Sequence, residues 1–167
     1  FQLNKIILKD NSITLETSIL QTFIKNLFNQ KNKFLFSNLN LNIFDKNNSL
    51  VRIDNIKFAN FGYDKNIILG TVFGKKFKTK VAEDFKNINF KLLNSGINAE
   101  INFNENQKDI FKNGNFKSKI LNTNIKFNFD YDDKILKVFN SYFRSKNLSF
   151  NNKSVIIFDP FFDISSE

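Results

Sequence analysis

The sequence predicts a mainly β protein: an antiparallel meander sheet curled into an open, taco-like trough, with one short helix near the N-terminus. Apolar and polar residues alternate with a period of two over much of the chain. Turn-forming residues recur roughly every 8–12 residues, as in meanders. A single segment has helical periodicity instead. A closed β-sandwich is the alternative, because a sheet with one apolar face must bury that face against something.

The helical segment covers residues 17–29. Its apolar residues fall on one stripe of a helix, and they are Ile19, Leu20, Phe23, Ile24, Leu27 and Phe28. Strands are expected over 34–158. In the first of them the apolar phase switches between Phe36 and Leu39, which predicts a β-bulge near Ser37 and Asn38.

The clearest alternation lies in four later segments, 85–93, 97–103, 116–121 and 125–131. Short turns, including one at residues 122–124, make sequential strands neighbours. Period two then fixes the face of each side chain once the register is set. The side chains expected on one shared apolar face are Ile88, Phe90, Leu92, Ile97, Ala99, Ile101, Phe103, Phe116, Ile120, Ile125, Phe127 and Phe129.

Composition is consistent with one folded segment spanning 1–167. The chain has 167 residues, of which 41% are hydrophobic, so it can bury a core. Its one Pro is Pro160, and no linker rich in Pro, Gly or Ser divides it. It opens on Phe1, contains no Met, and has neither a signal peptide nor an apolar run of roughly 20 residues. We therefore expect an excerpt of a longer chain, with any anchor upstream.

The net charge of +9 has two interpretations. Asn, Lys, Ile and Phe are all read from A/T-rich codons, so codon bias explains much of the basicity. A phosphate-binding role is the other interpretation, but the Lys residues are spread along the chain rather than clustered.

The residue types that usually carry catalysis are missing. The chain has no His and no Cys, which removes the commonest general base and the usual zinc ligands. Asp130, Asp132 and Asp133 could bind a hard cation such as calcium, but Asp also favours hairpin turns. No carboxylate pair stands out as acid and base. We therefore expect no enzyme activity, no metal site and no cofactor.

Lysines and phenylalanines interleave, as in Lys126-Phe127, which in other sheets allows stacking on single-stranded nucleic acid. Adjacent residues of a strand point to opposite faces, however, so stacking and charge would lie on different sides. No nucleic-acid partner is expected.

Three segments carry a resemblance to a known family. They are 39–43, 49–56 and 85–92, short strands of alternating Asn and aliphatic or aromatic residues separated by Asn/Asp turns. Over about residues 34–160 the chain resembles the AsmA-like proteins of Gram-negative bacterial envelopes, the superfamily that includes TamB and YhdP. The match is one of pattern rather than motif.

The resemblance implies a periplasmic protein anchored in the inner membrane upstream of this segment. It implies a long trough whose apolar interior conducts phospholipid or another acyl-chain lipid, in phospholipid transport and outer-membrane maintenance. The twelve apolar residues would then line the lipid groove. The alternative is a structural or adhesive β-sandwich of a surface protein, because alternating Phe suits a closed core equally well.

Overall fold

The structure is a computed structural model that describes residues 5–28, 31–46, 48–104, 112–132, 134–157 and 163–167. The predicted fold class is confirmed: the protein is mainly β, with one short helix and an open, mixed sheet in which most strand pairs are antiparallel. The strands are β1 (Lys5–Lys9), β2 (Ser12–Glu16), β3 (Lys33–Asp45), β4 (Asn48–Ala59), β5 (Ile67–Val72), β6 (Lys75–Val81), β7 (Asn87–Leu92), β8 (Ile97–Phe103), β9 (Asn113–Ile120), β10 (Thr123–Tyr131), β11 (Ile135–Arg144), β12 (Ser149–Phe150), β13 (Ser154–Ile157) and β14 (Asp163–Ser166). The helix, α1, is Thr17–Phe28, close to its predicted span.

The chain forms two compact units, Phe1–Lys80 and Val81–Glu167. In the first unit, β1 and β2 both pair with β3 in parallel, and α1 connects β2 to β3. A parallel pair needs such a crossover, because a tight turn can join only antiparallel strands. The sequence did not predict this parallel edge. From β3 to β6 the pairing is antiparallel, as predicted.

The core of the first unit lies between α1 and the sheet. Phe36, Leu39, Ile56 and Phe58 are buried there, and Leu27 and Phe28 of the helix pack against them. The rings of Phe28 and Phe58 meet edge to face with centroids 5.0 Å apart. The predicted apolar stripe of α1 therefore lies partly on this core, although Ile19 remains 50% exposed.

Three residues with left-handed backbone lie side by side across the first unit. Asp10 (φ 49°) separates β1 from β2, and Asn38 (φ 60°) and Asn55 (φ 54°) lie within β3 and β4. The β3–β4 register shifts between Phe36 and Leu39. The amide of Asn38 donates to Asp10 Oδ1 over 2.7 Å. The predicted bulge near Ser37 and Asn38 is confirmed. Asn and Asp tolerate this backbone conformation because their side chains can form local hydrogen bonds.

In the second unit each strand from β7 to β11 pairs antiparallel with the next, and β11, β13 and β14 continue the sheet. The first predicted strand, 85–93, is shorter in the structure. Phe85 adopts φ 59° and is buried outside β7, while Leu93 starts the following turn.

The prediction placed the turn between β9 and β10 at the wrong residues, 122–124. Ile120 pairs with Thr123, so the turn contains only Leu121 and Asn122, and Thr123 and Asn124 belong to β10. Leu121, at φ 54°, takes the tip position that turn-residue preferences assign to Asn.

Candidate functional site

The register of β7–β10 places all twelve predicted apolar residues on one face of the sheet. Ile88, Ile101, Phe116 and Phe127 form one cross-strand row, and Phe90, Ala99 and Ile125 belong to the next, with Ser118 between the last two. Leu92, Ile97 and Ile120 form a third row, and Phe103 and Phe129 flank Gly114 in a fourth. We call these twelve residues the apolar face.

Aromatic pairs reinforce two of these rows. Phe116 and Phe127 are directly opposite each other, and their rings stack with centroids 4.7 Å apart. Phe103 and Phe129 meet at 6.0 Å in an edge-to-face pair. Gly114 lies between these two residues in the register, so their rings can approach each other where no side chain intervenes. Cross-strand aromatic pairs of this kind stabilise a sheet and fix its register.

Between Ala99 and Ile125 of the apolar face lies a buried polar side chain, Ser118, which is 8% exposed. Its hydroxyl donates to the carbonyl oxygen of Asn98 over 2.8 Å. Among the described residues, every buried side-chain nitrogen and oxygen has a hydrogen-bond partner. Ser118 therefore places no unsatisfied polar group on this face.

Most of the apolar face is only half buried. Phe129 is 9% exposed and Ile120 is 39% exposed, and the other members fall between buried and exposed. Across the described residues, no large side chain is less than 2% exposed. The core beneath α1 contains four side chains that are 7% exposed or less, whereas Phe129 is the one buried member of the apolar face. The apolar face is therefore less covered than the core of the first unit.

The apolar face extends further than the sequence predicted. Val138 pairs with Phe129, Leu136 with Tyr131, and Phe143 with Ile125, so β11 continues the same side. Ile156 of β13 follows Leu136. A left-handed residue, Asn140 (φ 50°), interrupts the alternation of β11. Because of this interruption, alternation in the sequence did not show which side chains of β11 share the apolar face. The aromatic residues of the segment were the only remaining indication.

The opposite face of β7–β10 has a row of asparagines in register. Asn87, Asn102 and Asn115 are cross-strand neighbours, and Asn102 donates to Asn115 Oδ1 over 3.2 Å. Glu100 accepts from the amides of Asn87 (3.1 Å) and Asn102 (3.0 Å). Asparagine ladders of this type join neighbouring strands. Glu100 thus holds the ladder, and no second carboxylate faces it from the adjacent rows of β7–β10.

Lysines occupy the same polar face. Lys117 and Lys126 are opposite each other in the register, on the side away from Phe116 and Phe127. Aromatic stacking and positive charge therefore lie on different sides of the sheet, the geometry that the alternation predicts.

The acidic turn that follows β10 uses one carboxylate to fix its own backbone. Asp132 Oδ1 accepts hydrogen bonds from the amide N–H groups of Ile135 (2.8 Å) and Lys134 (3.2 Å). Asp133, the third member of the predicted acidic cluster, lies outside the described residues. In the part of the chain that the structure describes, no three acidic side chains converge in a way that could hold a metal ion.

Asp132 gives this turn a pH dependence. The hydrogen bond from Ile135, followed by that from Lys134, lowers the pKa of Asp132 below its ordinary value of 3.8. Because the folded-state pKa is depressed, the carboxylate stabilises the fold above the unfolded pKa, and this stabilisation is lost as pH falls through the folded value. Urea melts should show a smaller stability difference between wild type and Asp132→Ala at pH 3 than at pH 7. An equal difference at the two values would contradict this assignment.

No family model matches the chain, and comparison with curated proteins and with solved structures found no significant similarity. The resemblance to AsmA-like proteins therefore stays a prediction. Within the described residues, no helix has the length and apolar character needed to cross a bilayer.

Proposed function

We propose that this protein is a non-catalytic segment that holds or conducts acyl-chain lipid along the apolar face of β7–β10. The observation that carries the proposal is the continuous, half-buried row of Phe and aliphatic side chains on one side of the sheet. Contiguous apolar surface that is not fully covered by the protein often marks a binding site.

The physical chemistry of the face suits a sliding ligand. Burial of a lipid tail contributes about 0.8 kcal/mol per CH₂ group, and this attraction has no preferred direction. Strands about 4.8 Å apart present similar apolar side chains across the sheet. A tail that lies across the strands therefore contacts similar side chains on one strand after another, so it can move between positions at small cost.

The wider setting follows from the resemblance. We propose a periplasmic protein of a Gram-negative bacterium, anchored upstream in the inner membrane and acting in phospholipid transport and outer-membrane maintenance. Phospholipid is the proposed partner, with no cofactor and no nucleic acid. The open, half-buried face favours this function over a structural β-sandwich, whose core would be sealed.

Site-specific photo-crosslinking tests the proposal. A benzophenone amino acid replaces Phe116 on the apolar face or, as the matched control, Lys117 on the opposite side of the same strand. We expect crosslinks to co-expressed or added phospholipid at Phe116 and none at Lys117, detected by mass spectrometry. Equal labelling at both positions, or none at either, would refute lipid binding on this face.

A further inference from the structure

The turns at one end of the second unit form a continuous surface, which we call the rim: residues 91–98, 119–124 and 144–150. The amide N–H of Leu121 donates to the carbonyl oxygen of Gly96 over 3.2 Å, which joins the β7–β8 and β9–β10 turns. Asn124 pairs with Arg144, which places the end of β11 beside them. Hydrogen bonds between Ser145 and Leu148 close the next turn.

The rim combines apolar tips with positive charge. Leu121 is 66% exposed and Leu148 is 56% exposed, each at a turn, and Phe150 behind them is 45% exposed. Ring stacking with Phe143 at 4.7 Å holds Phe150 in place. Exposed leucines at hairpin tips cannot be explained by turn formation, which favours polar residues.

The charges of the rim all have one sign. Lys91, Lys119, Arg144 and Lys146 are exposed, and none of the three rim segments contains Asp or Glu. Lys91, Lys119 and Arg144 belong to one cross-strand row of the register, through Asn98 and Asn124. At the opposite strand ends the carboxylates Asp84 and Asp132 are accompanied by lysines, as in the Lys86–Asp84 ion pair at 3.9 Å. Among the described residues of the second unit, the positive charge of the rim therefore has no carboxylate beside it within the three rim segments, unlike that of the other end.

We propose that the rim docks on the surface of a bilayer that contains anionic phospholipid. Exposed leucines partition into the boundary between headgroups and acyl chains, and clustered Lys and Arg are attracted to the negative surface potential. The positive charge of the rim complements the negative surface of an anionic membrane. The apolar tips favour a membrane over a nucleic acid, whose backbone gives leucine nothing to contact. This proposal does not depend on lipid binding by the apolar face, because Leu121, Leu148 and the charged side chains that carry it are not among the twelve residues of that face.

Vesicle flotation with the full chain tests the rim. The probes are vesicles of phosphatidylglycerol mixed equally with phosphatidylcholine, and vesicles of phosphatidylcholine alone. We expect binding to the mixed vesicles only, falling as salt is raised. Lys119→Glu should weaken it about fivefold or more, and Leu121→Ser about threefold or more. All these side chains are exposed, so thermal melting should stay as in wild type.

The matched controls are Lys137→Glu, on the polar face at the opposite end of the strands, and Tyr63→Ser, a fully exposed aromatic residue of the first unit. Neither should change vesicle binding. Equal binding to neutral vesicles, or a loss with Lys137→Glu as large as with Lys119→Glu, would overturn the proposal. So would tight binding to a single-stranded oligonucleotide that Leu121→Ser leaves unchanged. Failure of the crosslinking at Phe116 would leave the rim proposal standing.

Discussion

Replacing Gly114 with alanine is expected to lower the free energy of unfolding by about 3 kcal/mol, at the upper end of the cost of overpacking. A Cβ atom at this position would clash with the carbonyl oxygen of Asn102 and would lie 3.0 Å from Cα of Phe103. Both are backbone atoms of the neighbouring strand, so no side-chain rotation relieves the clash. Strand β8 or β9 has to move, and the Phe103–Phe129 ring pair with it. Chemical denaturation followed by circular dichroism measures the change.

Gly74→Ala is the matched control for this change. Gly74 has a left-handed backbone, with φ +71°, but a Cβ atom there would meet nothing within 4 Å. The substitution therefore costs only the left-handed backbone strain, about 1 kcal/mol. If Gly114→Ala costs no more than Gly74→Ala, the close approach of β8 and β9 at Gly114 is wrong.

The second large effect compares aspartate at two phenylalanine positions, Phe127 and Phe58. Phe58 is 3% exposed, between Phe36 and the helix residue Phe28. Phe58→Asp buries a charge with no partner beneath α1, which costs several kcal/mol and is expected to abolish cooperative melting. Phe127 is half buried on the apolar face, so its replacement keeps access to water. Phe127→Asp should lose about 1–3 kcal/mol of burial and stacking and still melt cooperatively.

The comparison of Phe127→Asp with Phe58→Asp also distinguishes an accessible apolar face from a closed core. With Phe127→Asp the fold is expected to survive while phospholipid crosslinking at Phe116, directly opposite in the register, is lost. Lys126→Asp, on the other face of the same strand, should leave crosslinking intact. Loss of the melting transition in Phe127→Asp would mean that the face is a closed core, and the lipid proposal would be abandoned for the β-sandwich.

Alternation in the sequence was sufficient to predict the apolar face, for a simple geometric reason. Between Ile88 and Phe129 the described strands β7–β10 pair without a register shift, so each apolar residue keeps its side from strand to strand. Phe36 and Leu39 also indicated the bulge in β3, because the alternation of apolar and polar residues changes phase between them. Local patterns were thus enough where the pairing was regular.

The remaining features depend on contacts between distant residues. The parallel pairing of β1 and β2 with β3 gives no local signal, since hydrogen bonding to β3 decides the direction. β9 begins at Asn113, before Phe116, and Asn and Gly have low strand propensity. The rim was missed because Leu121 and Leu148 read as strand residues in the sequence. Only the register puts them at exposed turns.

The line of Asp10, Asn38 and Asn55 has a consequence for how the first unit finds its pairing. Strands of uniform alternation can slip by two residues and still keep every apolar side chain on the correct side, so hydrophobicity alone penalises such errors weakly. Left-handed residues within β3 and β4, and between β1 and β2, remove this degeneracy. The three irregularities match in the alignment where Asn38 donates to Asp10 and the N–H of Asn55 donates to Asn40 Oδ1 over 3.1 Å. In a chain rich in Asn, Ile and Phe, these irregular residues therefore favour one strand register over those displaced by two residues.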